Sequence, residues 1–150
     1  MKALITGASP GIGRDFAKIL SKKGYDLVLV ARDEQRLKEL QKELNTTSKI
    51  VSMDLSNPEN CKKLHEENPD IDLLINNAGF GDCGNFTHTN LNKEIDMINT
   101  NIVAYHILTK LYLIDMKNIN KGHILNVASI AGFMPGPLMS NLLCYKVICY

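Results

Sequence analysis

The sequence predicts an α/β fold in which helices cover both faces of one doubly wound, parallel β-sheet. Three observations indicate this class. Strand and helix patterns alternate from the first residue, as a series of βαβ units requires. The second strand pattern, Asp26–Ala31, is apolar after its first residue, as expected of a strand that is buried on both faces. A glycine-rich segment over residues 6–13 joins the first strand to the first helix.

The first half of the chain contains three strands and two helices. Residues 3–6 predict the first strand, and residues 12 to about 23 predict an amphipathic helix that ends at Gly24. Its apolar residues are expected to share one face: Ile12, Phe16, Ile19 and Leu20. A helix over residues 34–44 places its leucines toward the sheet: Leu37, Leu40 and Leu44. Residues 49–54 predict the third strand.

The second half continues the alternation. Residues 56–59 read Ser-Asn-Pro-Glu, a capping-box sequence that starts a short polar helix, and residues 71–76 predict the fourth strand. A long helix is predicted over about residues 91–117, and residues 123–128 predict the fifth strand after Gly122. The apolar residues of the long helix are expected in the core or against a partner: Ile95, Ile98, Ile102, Tyr105, Leu108, Leu111, Tyr112 and Met116. The pattern after Ser129 is ambiguous.

Composition narrows the functional classes. The 150 residues are 45% hydrophobic and 22% charged, with a net charge of +1. These values indicate one globular domain without a strong field for nucleic acid or anionic membranes, so small ligands are expected. Because no transmembrane or signal-peptide pattern is visible, we expect a cytoplasmic protein. The four cysteines and four histidines show no disulfide framework or ligand spacing, so no metal site is expected.

The glycine-rich turn has the pattern of a pyrophosphate-binding site. Gly7 permits a sharp turn, Gly11 permits close approach of the backbone to phosphates, and Gly13 allows the new helix to pack against the sheet. The amides of the first helical turn would then face the anion. Taken alone, the same glycines could form an ordinary connection between a strand and a helix.

A second motif strengthens the interpretation. Residues 76–79 read Asn-Asn-Ala-Gly at the end of the fourth strand, at the sheet edge where open parallel sheets bind ligands. Together with Thr6 and the glycine turn, this segment resembles the TGxxxGxG and NNAG signatures of the classical short-chain dehydrogenase/reductase family. The resemblance covers the chain to about residue 140 and implies a Rossmann-like sheet.

The resemblance implies roles for individual residues. Asp54 is similar to the family's adenine-contacting aspartate, Asn101 to its structural and proton-relay asparagine, and Ser129 to its catalytic serine. The implied cofactor-binding residues are Gly7, Ser9, Gly11, Ile12, Gly13, Arg32, Asp54, Asn77, Ala78 and Gly79. Each residue also has a simpler interpretation. Asp54 could only form a turn, Asn101 could bond within its helix, and Ser129 could be an ordinary residue at a strand end.

The end of the second strand bears on the choice of cofactor. A carboxylate there would accept hydrogen bonds from a ribose hydroxyl, whereas a guanidinium would pair with a 2′-phosphate. Arg32 therefore favours NADP(H) over NAD(H). Two alternatives remain, because Asp33 could face the ribose and Arg32 could be an ordinary surface residue.

The implied reaction is hydride transfer between a nicotinamide and a carbonyl or alcohol substrate. In the family, a tyrosine about thirteen residues after the serine is the general acid or base, and a lysine four residues later lowers its pKa. Counting from Ser129 places Leu142 at the tyrosine position and Lys146 at the lysine position. Leucine has no proton to transfer, so we expect impaired turnover. The alternatives are a non-catalytic NADP(H)-binding module or redox sensor, and an inactive fragment; an epimerase of the extended branch is disfavoured by the NNAG segment.

The residues from Leu142 onward permit a second reading frame. One allowed codon choice, read one base later, gives Tyr-Tyr-Ala-Thr-Lys, with the family's tyrosine and lysine at positions 142 and 146. We therefore hypothesise that an inserted base, real or from a sequencing error, truncated a domain of roughly 250 residues. The fifth strand would then be an apolar edge and the chain poorly soluble. The family typically forms a homodimer or homotetramer. In a truncated chain, the long helix over about residues 91–117 would lose the partners it packs against within the chain and in that assembly.

Overall fold

Five parallel strands form one sheet in the computed structural model, which describes residues 1–129. The strands are β1 (Lys2–Thr6), β2 (Asp26–Ala31), β3 (Ser48–Ser52), β4 (Leu73–Asn76) and β5 (His123–Asn126). Their order, β3-β2-β1-β4-β5, reverses at β1. The predicted α/β class is therefore confirmed. Leu142, Lys146 and the hypothesis of a second reading frame lie outside the described residues.

Helices connect the strands. They are α1 (Gly11–Lys22), α2 (Glu34–Lys42), α3 (Pro58–Glu66), α4 (Leu91–Ile98) and α5 (Ala104–Asn118). The predicted long helix is wrong in one respect, because a π-helical segment, Asn99–Val103, separates α4 from α5. The wider turn of that segment does not disturb the spacing of apolar residues enough to be visible in the sequence.

The sheet separates two apolar layers. Successive residues of a strand point to opposite faces. Leu4 accordingly packs in the layer that contains α5, whereas Ile5 packs in the layer that contains α1 and α2. Val28 and Leu29 of β2 divide in the same way. The apolar run of β2 thus reflects burial on both faces, as predicted.

The predicted apolar face of α1 is only half right. Leu20 is buried and Phe16 packs partly buried against the core, but Ile12 and Ile19 are 59% and 52% exposed. The helix instead buries small residues together with Leu20: Gly13, Ala17 and Ser21. The glycine turn holds α1 so close to the sheet that small side chains fit the contact. Counting large apolar residues therefore identified Phe16 and Leu20 correctly but placed Ile12 and Ile19 on the buried face in error.

The start of α3 also differs from the prediction. Asn57, rather than Ser56, is the capping residue, and its side chain accepts a hydrogen bond from the Glu59 N–H at 3.0 Å. Pro58 occupies the first helical turn, where its missing N–H costs nothing and its fixed φ suits the helix. A capping box beginning at Ser56 would start the helix one residue earlier.

Helices α3 and α5 meet around Tyr112. This side chain is fully buried, and its hydroxyl donates to the Asn68 carbonyl oxygen at 2.9 Å. The His65 ring contacts the Tyr112 ring edge-on at 4.9 Å, and His65 Nε2 lies 2.6 Å from Asp115 Oδ2. Burial raises the pKa of the Tyr112 phenol far above its usual value, so it remains a neutral donor. These contacts fix α5 over the sheet.

Asp72 ties β4 to the amino-terminal end of β1, and its replacement by asparagine should lower stability. Oδ2 accepts a hydrogen bond from the Lys2 N–H at 2.8 Å, and Oδ1 lies 2.5 Å from Lys121 Nζ. These two contacts, the lysine first, lower the pKa of Asp72. A carboxyl with a lowered pKa stabilises the fold above its unfolded-state pKa and loses that effect as it is protonated. We therefore expect Asp72→Asn to cost about 0.5–1 kcal/mol at neutral pH.

Urea unfolding of the wild type and the variant at pH 7 and below pH 4 measures this effect. The difference between them should shrink at the lower pH, since the wild-type carboxyl is then becoming protonated. Asp70→Asn is the matched control, because Asp70 is exposed two residues earlier. A difference that is independent of pH would contradict the assignment.

Candidate functional site

A cleft of about 570 Å³ opens at the carboxyl ends of the strands, where the strand order reverses. Its volume falls within the range typical of small-molecule sites, roughly 300–1,000 Å³. The turns after β1, β2, β3 and β4 all contribute to its wall. The residues lining it are Gly7, Ser9, Pro10, Gly11, Ile12, Ala31, Arg32, Asp33, Arg36, Met53, Asp54, Leu55, Asn77, Ala78, Gly79, Phe80 and Thr100.

Each glycine of the turn after β1 meets a different requirement. Gly7 and Gly11 have φ values of +65° and +58°, which side chains disfavour. A Cβ at Gly7 would also lie 2.8 Å from Ala78 Cα, whereas one at Gly11 would meet nothing within 4 Å. A Cβ at Gly13 would lie 2.2 Å from the Gly7 carbonyl oxygen. Gly13 therefore supports the cleft from beneath rather than lining it.

The amino-terminal end of α1 opens onto this cleft without a side-chain cap. Pro10 occupies the capping position and offers no hydrogen bond, and the first turn holds no acidic residue. Uncapped amides and the helix dipole make such an end favourable for an anion. The arrangement is suited to a diphosphate.

Thr6 connects the turn after β1 to the turn after β4. Its hydroxyl accepts hydrogen bonds from the N–H groups of Asn77 and Ala78 at 2.9 and 3.0 Å. The same hydroxyl donates to the Ile75 carbonyl oxygen at 3.3 Å. Sequence reasoning assigned Thr6 only to a motif and missed this connection, although a β-branched hydroxyl at a buried strand end was a usable signal.

Asn77 completes the connection. Its Nδ2 donates to the carbonyl oxygens of Thr6 and Gly7, both at 3.1 Å. The side chain therefore holds the backbone of the glycine turn, in addition to lining the cleft. The prediction of Asn77 as a cofactor contact did not foresee this supporting role.

Asn101 acts through the loop that follows β4. It lies in the π-helical segment and is fully buried. Its Oδ1 accepts from the Phe80 N–H at 3.1 Å, and its Nδ2 donates to the Phe80 carbonyl oxygen at 2.8 Å. Asn101 thus fixes a residue of the cleft wall without lining the cleft itself. A local bond within the helix, the simpler interpretation, does not describe these contacts.

Ser129 lies three residues beyond β5 and is half-buried. The preceding segment is held to β4: Asn76 Nδ2 donates to Asn126 Oδ1 at 2.9 Å, and the Val127 N–H donates to the Asn76 carbonyl oxygen at 2.8 Å. Ser129 is absent from the residues that line the cleft within the described chain. Lys146, the remaining predicted catalytic residue, is outside residues 1–129.

Three charged residues follow β2. Arg32 lies with its guanidinium carbon 5.8 Å from the centre of the Phe80 ring. Asp33 caps α2 by accepting the Arg36 N–H at 3.0 Å, and its Oδ2 lies 3.2 Å from Arg36 Nε. All three line the cleft. Sequence reasoning missed Arg36, although a basic residue in the first turn of α2, just after β2, could have been expected near the cleft.

Asp54, which follows β3, also lines the cleft and shapes a turn. Its Oδ1 accepts from the Ser56 N–H at 3.0 Å. The nearby Cys61 thiol is buried and donates to the Leu55 carbonyl oxygen at 3.6 Å. Burial raises the pKa of this thiol to about 11, so it is protonated at neutral pH and is no nucleophile.

Two further results concern only residues 1–129. No group of three or more potential metal-ligating side chains occurs there. None of the helices in this part of the chain has the length and apolar character needed to cross a membrane.

An open parallel sheet with a glycine-lined cleft at the reversal of strand order defines a Rossmann-like α/β protein of the nucleotide-binding type. A family model described as short chain dehydrogenase matches residues 1–145. The chain therefore belongs to the short chain dehydrogenase family, whose members are oxidoreductases that bind NAD(P).

Individual relatives agree with this assignment. A Staphylococcus epidermidis protein described as an uncharacterized oxidoreductase is 40% identical over 140 residues, covering 89% of this chain and 60% of the relative. A very-long-chain 3-oxoacyl-CoA reductase of Phaeosphaeria nodorum is 36% identical, covering 93% of this chain and 44% of the relative. The chain thus spans about half to three-fifths of the length of these curated relatives.

A solved structure is similar as well. The short-chain dehydrogenase from Sphingobium yanoikuyae in complex with NADPH has a TM-score of 0.91 and 32% sequence identity. The comparison covers 99% of this chain and 60% of that protein.

Proposed function

We propose that the cleft binds NADP(H) and that the protein's chemistry is hydride transfer between this cofactor and a carbonyl or alcohol substrate. The observation that carries the proposal is the uncapped end of α1 behind a glycine turn that Thr6 and Asn77 join to the turn after β4. A rigid set of amides at a strand-order reversal fits the diphosphate of a dinucleotide. The similar Sphingobium yanoikuyae structure contains NADPH.

The remaining cleft residues support the two ends of a dinucleotide. Asp54, with one oxygen fixed by Ser56, is placed to meet an adenine on one side of the diphosphate. Ser9, Gly11 and Ile12 would surround the phosphates, and Ala78 and Gly79 would contact the sugar that leads toward the nicotinamide.

The charged residues after β2 favour a 2′-phosphate over a ribose hydroxyl. Arg32 provides a guanidinium in the cleft wall, which suits a phosphate. The Asp33 carboxylate already accepts the Arg36 N–H and contacts its Nε, so it is poorly available to a ribose hydroxyl. We therefore infer a preference for NADP(H) over NAD(H).

The bound nicotinamide would supply or accept the hydride. In our proposal, Ser129 would polarise the substrate carbonyl and Lys146 would serve the cofactor ribose, while Asn101 fixes the cleft wall at Phe80. Leu142, which the family resemblance aligns with the general-acid position, favours a second candidate, a protein that binds NADP(H) without turning over substrate. General acid–base catalysis contributes about 10²- to 10⁴-fold, so its loss would reduce turnover by a similar factor.

Titration of the full chain with NADPH, followed by the cofactor's fluorescence, tests the proposal. We expect saturable binding that is at least about tenfold tighter than binding of NADH, because a charge-assisted contact to phosphate is worth about 1.5–3 kcal/mol. A panel of aldehydes, ketones and secondary alcohols then separates the two candidates. Turnover supports the oxidoreductase, and binding without turnover supports the non-catalytic protein. Absence of binding at millimolar dinucleotide by folded protein would refute both.

A further inference from the structure

Arg36 adds a second arginine to the wall of the cleft that Arg32 lines. Both residues line the cleft, one at the end of β2 and the other in the first turn of α2. We propose that Arg36 is a specificity-determining residue that binds the 2′-phosphate of the cofactor. This inference rests on the proposed function and adds to it the residue that makes the cleft selective for the phosphorylated dinucleotide.

The contacts of Arg36 orient its guanidinium and leave part of it available. Asp33 accepts the main-chain N–H of Arg36 through Oδ1 and contacts Nε through Oδ2. The Asp33 carboxylate thus contacts both the backbone and the Nε atom of Arg36. Within residues 1–129, the terminal nitrogens have no other partner, and the side chain is 60% exposed. Two parallel N–H donors of this kind match two oxygens of a phosphate.

The surrounding acidic groups are occupied by other partners. Glu34, also in the first turn of α2, pairs with Lys38 at 2.6 Å and does not line the cleft. Asp54 accepts the Ser56 N–H. Among residues 1–129, Asp33 is the carboxylate that pairs with Arg36, and it already accepts the Arg36 main-chain N–H and contacts Nε. An added phosphate would therefore meet guanidinium groups and the positive end of the α2 dipole.

Arg32 alone is less well placed for selectivity. Its guanidinium carbon lies 5.8 Å from the centre of the Phe80 ring, where the positive charge is attracted to the aromatic face. That contact directs the Arg32 guanidinium toward Phe80 in the loop after β4. Arg36 is held at the β2 side by its own helix cap. In our proposal, the phosphate would receive donors from Arg36 as well as from Arg32.

Titrations with NADPH and NADH, using the wild type and Arg36→Gln, test the inference. We expect Arg36→Gln to weaken NADPH binding about tenfold and to change NADH binding by less than about twofold, since only NADPH carries the added phosphate. The ratio of the two dissociation constants is thus the decisive quantity. Arg36→Lys should keep the charge but lose the paired donors, and so give an intermediate ratio.

Arg14→Gln is the matched control, because Arg14 pairs with Glu43 outside the cleft and should leave the ratio unchanged. Equal weakening of both dinucleotides by Arg36→Gln and Arg36→Lys would show a structural role and overturn the inference. An unchanged ratio in both variants would also overturn it while leaving the proposed function intact. If the folded wild type binds neither dinucleotide, the proposed function itself fails. Thermal unfolding of each variant establishes that the compared proteins are folded.

Discussion

Replacing Gly13 with alanine is expected to destabilise the protein by about 3 kcal/mol or more and to abolish NADPH binding. The added Cβ would lie 2.2 Å from the Gly7 carbonyl oxygen and 2.6 Å from Asn77 Nδ2. The Gly7 oxygen is backbone of the turn after β1, and Asn77 Nδ2 is held by hydrogen bonds to the Thr6 and Gly7 carbonyl oxygens, so neither can move cheaply. Relief requires α1 to move away from β1, which would open the set of amides proposed to bind the diphosphate.

Gly24→Ala is the control for this substitution. Gly24 has a φ of +82°, but a Cβ there meets nothing within 4 Å, and the residue lies at the far end of α1 from the cleft. We expect a cost of about 1–2 kcal/mol from conformation alone, with NADPH affinity unchanged. Urea unfolding and NADPH titration of the two variants measure both effects. Retention of NADPH affinity in Gly13→Ala would show that the close packing of α1 is not needed for binding.

Replacing Thr6 with valine should have the next largest effect. Valine keeps the shape of the side chain but removes an oxygen that accepts from the Asn77 and Ala78 N–H groups and donates to the Ile75 carbonyl oxygen. Thr6 is 1% exposed, so water cannot readily replace these partners. Since a buried unsatisfied polar group costs about 1–3 kcal/mol, we expect a total loss of about 2–4 kcal/mol. NADPH affinity should fall because the turns after β1 and β4 are no longer joined.

Thr6→Ser separates the hydroxyl from the methyl group. Serine keeps the three hydrogen bonds and removes one buried methyl, so a loss of about 1 kcal/mol and near-normal NADPH binding are expected. Denaturant unfolding at pH 7 gives the stability of both variants, and fluorescence titration gives the affinity. Equal losses in the serine and valine variants would assign the effect to packing instead of to the hydroxyl.

Local patterns were sufficient to predict the strands and the main motifs. The β2 bounds, Asp26–Ala31, agree with the prediction because a run of apolar residues needs burial on both faces. The glycine turn and Asn77–Gly79 come together as expected, since parallel strands deliver their carboxyl ends to one edge of the sheet. The roles of these residues in binding a cofactor stay predictions.

Other features depended on distances between elements, which the sequence does not display. The buried face of α1 is set by how closely Gly13 approaches Gly7, and this contact exposed Ile12 and Ile19 against the prediction. The π-helical segment lets Asn101 reach the Phe80 backbone, although Asn101 follows Phe80 by 21 positions. Neither contact produces a repeating pattern of apolar residues in the sequence that could have predicted it.

The sequence by itself determined the α/β alternation, the glycines that a left-handed backbone requires and the motifs that identify the family, because each depends on neighbouring residues or on one simple period. Only the tertiary structure decided that Thr6 and Asn77 join two turns, that Asn101 holds the cleft wall, and that Arg36 lines the same cleft as Arg32. The physical reason is that hydrogen bonds and charge pairs act over a few ångströms in space. Residues far apart in the chain can satisfy that distance only after the sheet has brought the ends of its strands together.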